Sequence, residues 1–463
     1  MSSKYDFLKL SELGPYKKGT YFGFANAFVW MIGLGTPMVL LCEKLGASPS
    51  QVGFIYAAVF LLLPVQLAST ALLPILGFKR QILWAWGTRS FFLIVPVVIV
   101  FWAPEEPGDW VLTLFIGSIF GFCFFRAIGA TALLPWLFEI LPERIRGRYF
   151  ATDTLVVGLA GVMTLLLSSL LFYLLSPYNA FRLLFLLTLV AAFVSLWILR
   201  KLPDGKRPVV IPLRRFFKRA PELCLRPSHY RRFLRLQVIY GIAGYAFAPF
   251  SVYYLKTELN YSQSYILMLM ALQFVGVLGA SMIIKEWIDR VGLRPFFMLS
   301  NLATILFQIY WVLMIVFPGR IESALPLVYL LIGVALASFS SATNKYLSLV
   351  CRPSERALSV TLFSTVVGFT GGLTSTGWGF ILKDSATGLM NTNAFLVYFV
   401  SAFMLQVFLL KGYMKIKDNL RSEEPLPTNG IMVRPFRYLV TFINMVEPPV
   451  SRNPQKSIKE TKL

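Results

Sequence analysis

Residues 110–150 are WVLTLFIGSIFGFCFFRAIGATALLPWLFEILPERIRGRYF. This stretch decides the fold, because about thirty largely apolar residues follow one another with a single charge, Arg126, near their middle. Roughly 20 apolar residues suffice for a helix to cross a bilayer, so this run crosses with length to spare. A midplane arginine is costly unless it faces water or a partner, so Arg126 is expected to have a function.

The composition indicates an integral membrane protein. The chain has 463 residues, of which 57% are hydrophobic and only 14% charged, whereas soluble domains carry about 25% charged residues. The net charge of +22 would suggest a nucleic-acid partner in a soluble protein. Here the basic residues lie between apolar runs, where the positive-inside rule explains them, so no nucleic-acid partner is expected. The first apolar run is full length, which argues against a cleavable signal peptide.

Twelve apolar runs are candidate transmembrane helices. They lie at about 20–42, 53–76, 82–102, 110–141, 154–175, 180–199, 237–255, 263–284, 296–317, 326–350, 358–382 and 393–411. Most of the 44 Lys and Arg residues lie in the N-terminus, in the loops after even-numbered spans and in the C-terminal tail. The opposite loops hold Lys44, Arg182, Lys256, Arg320 and Lys383, and the spans themselves are assigned Arg126 and Lys345. Both termini are therefore predicted to be cytoplasmic.

One long basic loop, residues 200–235, divides the chain into units of six spans, residues 1–199 and 236–411. Its segment 214–219 (RRFFKR) predicts either an amphipathic helix on the lipid headgroups or an unstructured tether. Residues 412–463 form a cytoplasmic tail. Within it, Phe436, Leu439, Val440, Ile443 and Val446 share one helical face, which predicts an interfacial helix or a tail that packs only occasionally.

The two units repeat each other. Loop motifs at 45–51, 76–80 and 142–144 recur at 259–264, 291–295 and 354–356, each about 212 to 215 positions later. Parallel six-helix repeats are an arrangement of transporters, in which the substrate lies between the halves near the bilayer midplane.

The loop after the eighth span resembles a family signature. Asp289-Arg290-Val291-Gly292-Leu293-Arg294 is similar to the major facilitator superfamily motif G-x-x-x-D-R-x-G-R-[RK], with Lys285 where the first glycine is expected. The N-terminal copy keeps Gly77, Lys79 and Arg80 but has Pro74 and Ile75 in place of Asp-Arg. The resemblance covers about residues 15–415. It implies an all-α membrane protein with twelve helices in two pseudo-symmetric six-helix bundles.

The same resemblance implies that spans one, four, seven and ten line a central cavity. The residues that it then places toward substrate are Asn26, Trp30, Tyr240, Tyr245 and Asn344, with Gln66 and Gln273 contributing from spans two and eight. Each of these side chains could instead make a hydrogen bond between helices.

Arg126 is the strongest candidate for substrate contact. Glu139 is the acidic residue found within a predicted span, thirteen residues or roughly 20 Å further along the helix. A cavity-facing Arg126 would bind a carboxylate or phosphate, or donate its N–H groups to a polyhydroxylated solute. Alternatively, backbone carbonyls or the rings of Phe124 and Phe125 satisfy it. Lys345 is expected to extend toward the cytoplasmic end of its span.

Charged loop residues are candidates for gating. The resemblance implies that Asp289, with Arg290 and Arg294, interacts with the end of a neighbouring helix to hold one access state closed. Arg144 and Arg146 could form a second cytoplasmic cluster with Glu139, although membrane topology alone also explains basic loops.

The function predicted is secondary transport of a small polar solute, an organic anion or a sugar-like molecule, by alternating access. The alternative is a membrane scaffold or sensor that keeps the fold without transport. The sole histidine, His229, lies in the basic loop and the cysteines lack metal spacing, so no enzyme activity, metal or cofactor is expected. Glycine-rich span eleven favours close packing or bending. We expect a monomer in a bacterial inner membrane that binds a small molecule.

Overall fold

The computed structural model describes residues 10–102, 108–205, 221–226, 228–317, 319–351, 356–384 and 391–416. The described chain is almost entirely helical, as the predicted fold class requires. Its α-helices are Lys17–Gly33, Thr36–Lys44, Pro49–Leu61, Leu63–Ala68, Leu73–Leu76, Phe78–Phe92, Ile94–Trp102, Asp109–Ile140, Glu143–Leu174, Pro177–Arg200, His229–Gly244, Phe247–Thr257, Gln263–Val291, Arg294–Val316, Leu325–Val350, Arg356–Asp384 and Asn391–Met414. Short 3₁₀ segments occupy Leu10–Tyr16, Ser69–Leu72 and Glu322–Ala324.

Every predicted span coincides with helix. Among the described residues, eleven helical segments are long and apolar enough to cross a membrane. The predicted eleventh span is helix Arg356–Asp384, whose 29 residues reach about 44 Å at 1.5 Å per residue. The seventh helical segment begins at His229, earlier than the predicted 237.

Two equivalent spans are interrupted in the middle. The first span breaks at Leu34–Gly35, and the seventh breaks at Tyr245–Ala246. At Gly35 a Cβ atom would lie 2.2 Å from the carbonyl oxygen of Met31, so no side chain fits there. The second and third spans are also broken into shorter helices. None of these breaks was predicted, because the apolar runs continue through them.

The repeated loop motifs adopt equivalent backbone structures. Gly77 (φ 76°, ψ 163°) and Gly292 (φ 90°, ψ −177°) end the second and eighth spans in a region that is essentially restricted to glycine. Likewise, the side chains of Ser48 and Ser262 both cap the helix that follows. The six-plus-six repeat inferred from the sequence therefore extends to the way in which the corresponding helices begin and end.

Small residues let the spans approach closely. Where spans eight and ten cross, a Cβ atom on Gly276 would lie 2.2 Å from the carbonyl oxygen of Leu330, and one on Gly333 would lie 2.0 Å from that of Gln273. Between the two halves, span eleven packs on span two and span eight on span five. Gly379 of span eleven lies against the backbone of Pro49, which confirms close packing through the glycines of this span.

The buried apolar residues form separate cores at one end of the bundle and a common core at the other. We call the end that carries Leu10–Tyr16, Arg200 and Lys415 the basic face. Toward this face, one core around Phe22, Ile82 and Trp136 belongs to the N-terminal half alone. Another core, around Phe233 and Tyr413, belongs to the C-terminal half alone. Toward the opposite face, residues of both halves pack in one continuous core. The halves are therefore joined away from the basic face.

Several segments and side chains with predicted roles are not among the residues that the structure describes. Segment 214–219 and the tail residues 436–446 fall outside the described residues, as do the side chains of Asp289, Arg290, Arg144 and Arg146.

Candidate functional site

The C-terminal half contains a cavity of about 170 Å³ between spans seven, ten and eleven. Three predicted substrate-binding residues, Tyr240, Tyr245 and Asn344, line it together. The other lining residues are Gln237, Phe339, Ser340, Thr343, Phe363 and Val367. The structure thus brings the predictions for spans seven and ten into one site.

The walls of this cavity combine aromatic faces with polar atoms. The ring of Tyr240 stacks on Phe339 with centroids 3.8 Å apart. The amide nitrogen of Gln237 and the hydroxyl of Thr343 are buried and lack a hydrogen-bond partner among the described residues. Buried polar atoms are normally paired, so these two are available to a bound solute or water. Sequence reasoning missed both, although Gln237 lies one helical turn before Tyr240 and Thr343 precedes Asn344.

Arg126 is buried in the N-terminal half, with 7% of its surface exposed. Its Nη2 donates a hydrogen bond to the carbonyl oxygen of Val59 at 3.2 Å. The guanidinium carbon lies 5.1 Å from the centre of the Trp30 ring, so two residues that were each predicted to face substrate are in contact. The aromatic partner is thus Trp30 of span one, rather than the adjacent Phe124 or Phe125. Its Nε is buried without a partner in the described part of the chain.

A second arginine, Arg89, lies beside this site and was missed. It belongs to the third span and is fully buried, with 0% exposure. Its guanidinium lies 3.9 Å from the centre of the Trp86 ring, and its Nη2 donates to Oδ1 of Asn26 at 2.6 Å. Arg89 lies inside the predicted span 82–102, so the sequence did place a charge within that span. The prediction nevertheless named Arg126 and Lys345 as the basic residues inside spans.

Arg126 and one end of the cavity lie on either side of span two. The carbonyl oxygen of Val59 accepts from Arg126, while the ring of the next residue, Phe60, contacts Tyr245 with centroids 4.7 Å apart. Consecutive residues of a helix differ in height by about 1.5 Å. Arg126 therefore lies at the depth of Tyr245, at one end of the cavity of the C-terminal half, where the two halves meet.

The remaining predicted side chains lie elsewhere. The oxygen of the Asn26 amide is occupied by Arg89, so Asn26 enters the site as a partner of that arginine. Gln66 and Gln273 are half-buried and are not among the residues that line the described cavity. The backbone carbonyl of Gln273 instead marks the crossing of spans eight and ten.

An acidic residue also lies between spans one and five. The fifth span was predicted to begin at 154, which left Asp153 in the loop. In the structure Asp153 lies within the fifth span, Thr152–Leu174, and a Cβ atom on Gly23 would lie 2.6 Å from its Oδ1. The carboxylate is thus packed against the first span.

Charged residues near the basic face make contacts that bear on gating. Nε and Nη2 of Arg294 donate to the carbonyl oxygen of Ile416, just beyond the last helix, at 3.0 and 2.8 Å. Nζ of Lys345 donates to the carbonyl oxygen of Ile288 at 2.8 Å, near the end of span eight. Glu139 is exposed at the end of span four and lies beside Gly205.

The comparisons with known proteins agree with this architecture. Residues 233–446 match the sequence model described as "Major Facilitator Superfamily", and no curated protein matches the chain. The nucleoside transporter NupG is similar in structure, with a TM-score of 0.65 and 14% identity over 87% of this chain and 100% of NupG. The inward-open xylose transporter XylE from E. coli has a TM-score of 0.62 and 12% identity over 85% of this chain and 93% of XylE.

A third solved structure has the same fold. An inward-facing bacterial homologue of the human lysosomal transporter Spinster has a TM-score of 0.57 and 14% identity, over 94% of this chain and 97% of that one. The family match and the shared fold confirm the resemblance that the loop signature indicated.

Proposed function

We propose that this major facilitator superfamily protein is a secondary transporter that moves a small polar solute, an organic anion or a sugar-like molecule, by alternating access. The observation that carries the proposal is that span two contacts both Arg126 and Tyr245, which brings the arginine to one end of the cavity at the junction of two repeated halves. Sites at the interface of two repeats, near the middle of the membrane, are typical of secondary transporters.

The packing of the halves supports a state that is open toward the basic face. The halves share a core at the opposite face and have separate cores at the basic face, and Asn344 is exposed. A solute entering from the basic face would meet Asn344 and Tyr240 on one side and Arg126 on the other. Rocking about the contacts of spans two with eleven and five with eight would then expose the site to the opposite face.

Two carboxylates are candidates for coupling transport to protons. Glu139 is exposed beside Gly205, away from Arg126, which favours facilitated diffusion or exchange over coupling through this residue. Asp153 of span five packs against Gly23 of span one, in the half that also holds Arg126. Solute accumulation driven by a pH gradient in wild-type protein and lost in Asp153→Asn would identify a proton symporter. Equal accumulation in both would exclude Asp153 from coupling.

Counterflow in proteoliposomes tests the transport proposal. Vesicles loaded with unlabelled solute are diluted into labelled solute, using a panel of organic anions, pentoses, hexoses and nucleosides. We expect a transient excess of label with at least one of them, reduced at least about tenfold in Asn344→Ala. The matched control is Tyr173→Ala, because Tyr173 is 79% exposed and lies far from the cavity along span five. Solute binding without counterflow would support the scaffold or sensor instead.

The proposed topology places the basic face in the cytoplasm of a bacterial cell, with both termini on that side, and the protein acting as a monomer. The proposed domains are residues 1–199 and 236–411, linked by 200–235 and followed by the tail 412–463. Reporter fusions after Leu463 and within the loop at 175–176 should give opposite signals. Equal signals would contradict the topology.

For gating, we propose that Asp289, Arg290, Arg144 and Arg146 close the basic face in the alternate state. The contact of Arg294 with Ile416 ties this loop to the last span and supports a concerted movement. Asp289→Asn should slow counterflow without changing solute affinity. A selective loss of affinity would place Asp289 in the binding site instead.

A further inference from the structure

We infer that Arg89 and Arg126 together form an anion-binding subsite in the N-terminal half, which selects solutes carrying a phosphate or a pair of carboxylates. The inference rests on the proposed transport function, which it narrows from polar solutes to doubly charged anions. It adds Arg89 of span three, which does not belong to the four spans that the resemblance assigned to the cavity.

The two guanidinium groups are close to each other and deeply buried. Both contact successive turns of span one, because Arg89 donates to Asn26 and Arg126 lies over the ring of Trp30, four residues later. The indole of Trp86 lies beneath the guanidinium of Arg89, and its Nε1 donates to the backbone carbonyl of Arg126 at 3.2 Å. With exposures of 0% and 7%, both cations lack the hydration that normally separates like charges. Such a pair is unfavourable unless an opposite charge lies nearby.

No carboxylate among the described residues supplies that opposite charge. The acceptors that contact the two guanidinium groups are both neutral, since Arg89 donates to the amide of Asn26 and Arg126 donates to the backbone carbonyl of Val59. The rings of Trp86, Phe122 and Trp30 stabilise the cations through their faces. A ring contact uses the face of a guanidinium and leaves its N–H edge to be satisfied by hydrogen bonds.

Three of these N–H positions have no acceptor. Nε and Nη1 of Arg89 and Nε of Arg126 are buried and unpartnered within the described structure. Fully buried donors without acceptors are rare in proteins, and they indicate an ion or water that completes the site. An oxyanion supplies both the acceptors and the charge that the pair requires.

The hydrogen-bonding balance also separates anions from sugars. The two acceptors nearest the arginines are already in use, because Oδ1 of Asn26 accepts from Arg89 and the carbonyl of Val59 accepts from Arg126. A sugar hydroxyl both donates and accepts, whereas an oxyanion only accepts. A subsite that offers donors alone therefore favours the anion.

Thermal unfolding of the purified full-length protein in nanodiscs tests this inference without requiring transport. The probes are inorganic phosphate, glycerol 3-phosphate and succinate, compared with xylose and uridine, at constant ionic strength set with chloride. We expect at least one anion at saturating concentration to raise the unfolding temperature of the wild type by about 3 °C or more, and the neutral solutes to leave it unchanged. Comparing phosphate and carboxylate probes identifies which oxyanion the subsite prefers.

Conservative variants locate the effect. Arg89→Lys and Arg126→Lys keep the charge but lose the planar fork, so each should raise the apparent dissociation constant at least about tenfold. The matched control is Arg182→Gln, whose arginine donates to the carbonyl of Val100 and lies near the start of span six, at the end of the bundle opposite the basic face. It should retain the wild-type response.

Three results would overturn the inference. The first is that neutral solutes stabilise the wild type and none of the anions does. This result needs the wild type alone, so it is decisive even if the arginine variants fail to fold. The second is no stabilisation of the wild type by any of these anions. The third is an anion response that is equal in the wild type and both arginine variants, which would show binding to the basic surface. Anion binding without counterflow would instead preserve the subsite and reject the transport function.

Discussion

Replacing Asn26 with aspartate should place a carboxylate of the protein itself in the anion subsite, where it competes with a bound anion for the arginines. Oδ1 of Asn26 already accepts from Nη2 of Arg89 at 2.6 Å, so Asn26→Asp changes the charge of the acceptor with almost no change of shape. The new carboxylate would neutralise one cation of the pair. A hydrogen bond between ionised groups contributes about 1.5–3 kcal/mol, so the ligand-free variant should unfold at a temperature no lower than the wild type.

The effect on the anion can be estimated from Coulomb's law. In Asn26→Asp the guanidinium of Arg89 would lie between the new carboxylate and the bound anion, whose charges are then about 5 Å apart. At an effective dielectric constant of about 20 the repulsion between these two negative charges is about 3 kcal/mol. Asn26→Asp should therefore weaken anion binding on the order of 100-fold, which titration calorimetry with succinate or glycerol 3-phosphate measures.

Asn26→Ala is the companion variant, and it should lower stability while leaving anion affinity nearly unchanged. It removes the acceptor of a buried charged donor, which should lower the free energy of unfolding by about 1–3 kcal/mol. Because it adds no negative charge, it should change anion affinity by less than about tenfold. Unchanged anion binding in Asn26→Asp would refute the reasoning, and so would equal losses in the two variants.

Two further predictions concern the backbone. Gly77→Ala and Gly292→Ala force a side chain into a glycine-only conformation, so each should lower the free energy of unfolding by about 1–3 kcal/mol. The control is Gly87→Ala, because Gly87 lies in a helix with open space around it. This variant should be neutral or stabilising by up to about 1 kcal/mol. Gly333→Ala places a methyl group against the carbonyl of Gln273 and should lower the unfolding temperature more than Gly87→Ala does. Thermal unfolding checks both, and equal behaviour of all these variants would contradict the packing described.

Long-range order was largely predictable from the sequence, because it depends on patterns that extend over many residues. Apolar runs predicted the helical spans, and loop motifs about 215 positions apart predicted the repeat that Gly77 and Gly292 share in their backbone conformation. Span breaks were not predictable in this way. At Leu34–Gly35 the apolar run hides the break, which Pro37 favours because it lacks a backbone N–H, and which Gly35 permits because a Cβ there would meet the carbonyl oxygen of Met31.

The site was predicted in part. Resemblance to a family placed Tyr240, Tyr245 and Asn344 in the cavity, and burial of a charge pointed to Arg126. Arg89 was not predicted, although it lies within the predicted span 82–102. Its link to Asn26 could not be read from the sequence, since residues 63 positions apart meet there only through the packing of spans one and three.

The central claim is that one site opens alternately to the two sides of the membrane. It is tested most directly by the accessibility of Ser340→Cys, a nearly isosteric change at an exposed residue that lines the cavity. The four native cysteines are replaced, and a membrane-impermeant maleimide is added to either side of oriented vesicles. We predict rapid labelling from the basic face, slower labelling from the opposite face that increases during counterflow, and protection by transported solute. Labelling from the basic face alone under every condition would contradict alternating access and leave a membrane protein with this fold that binds without transporting.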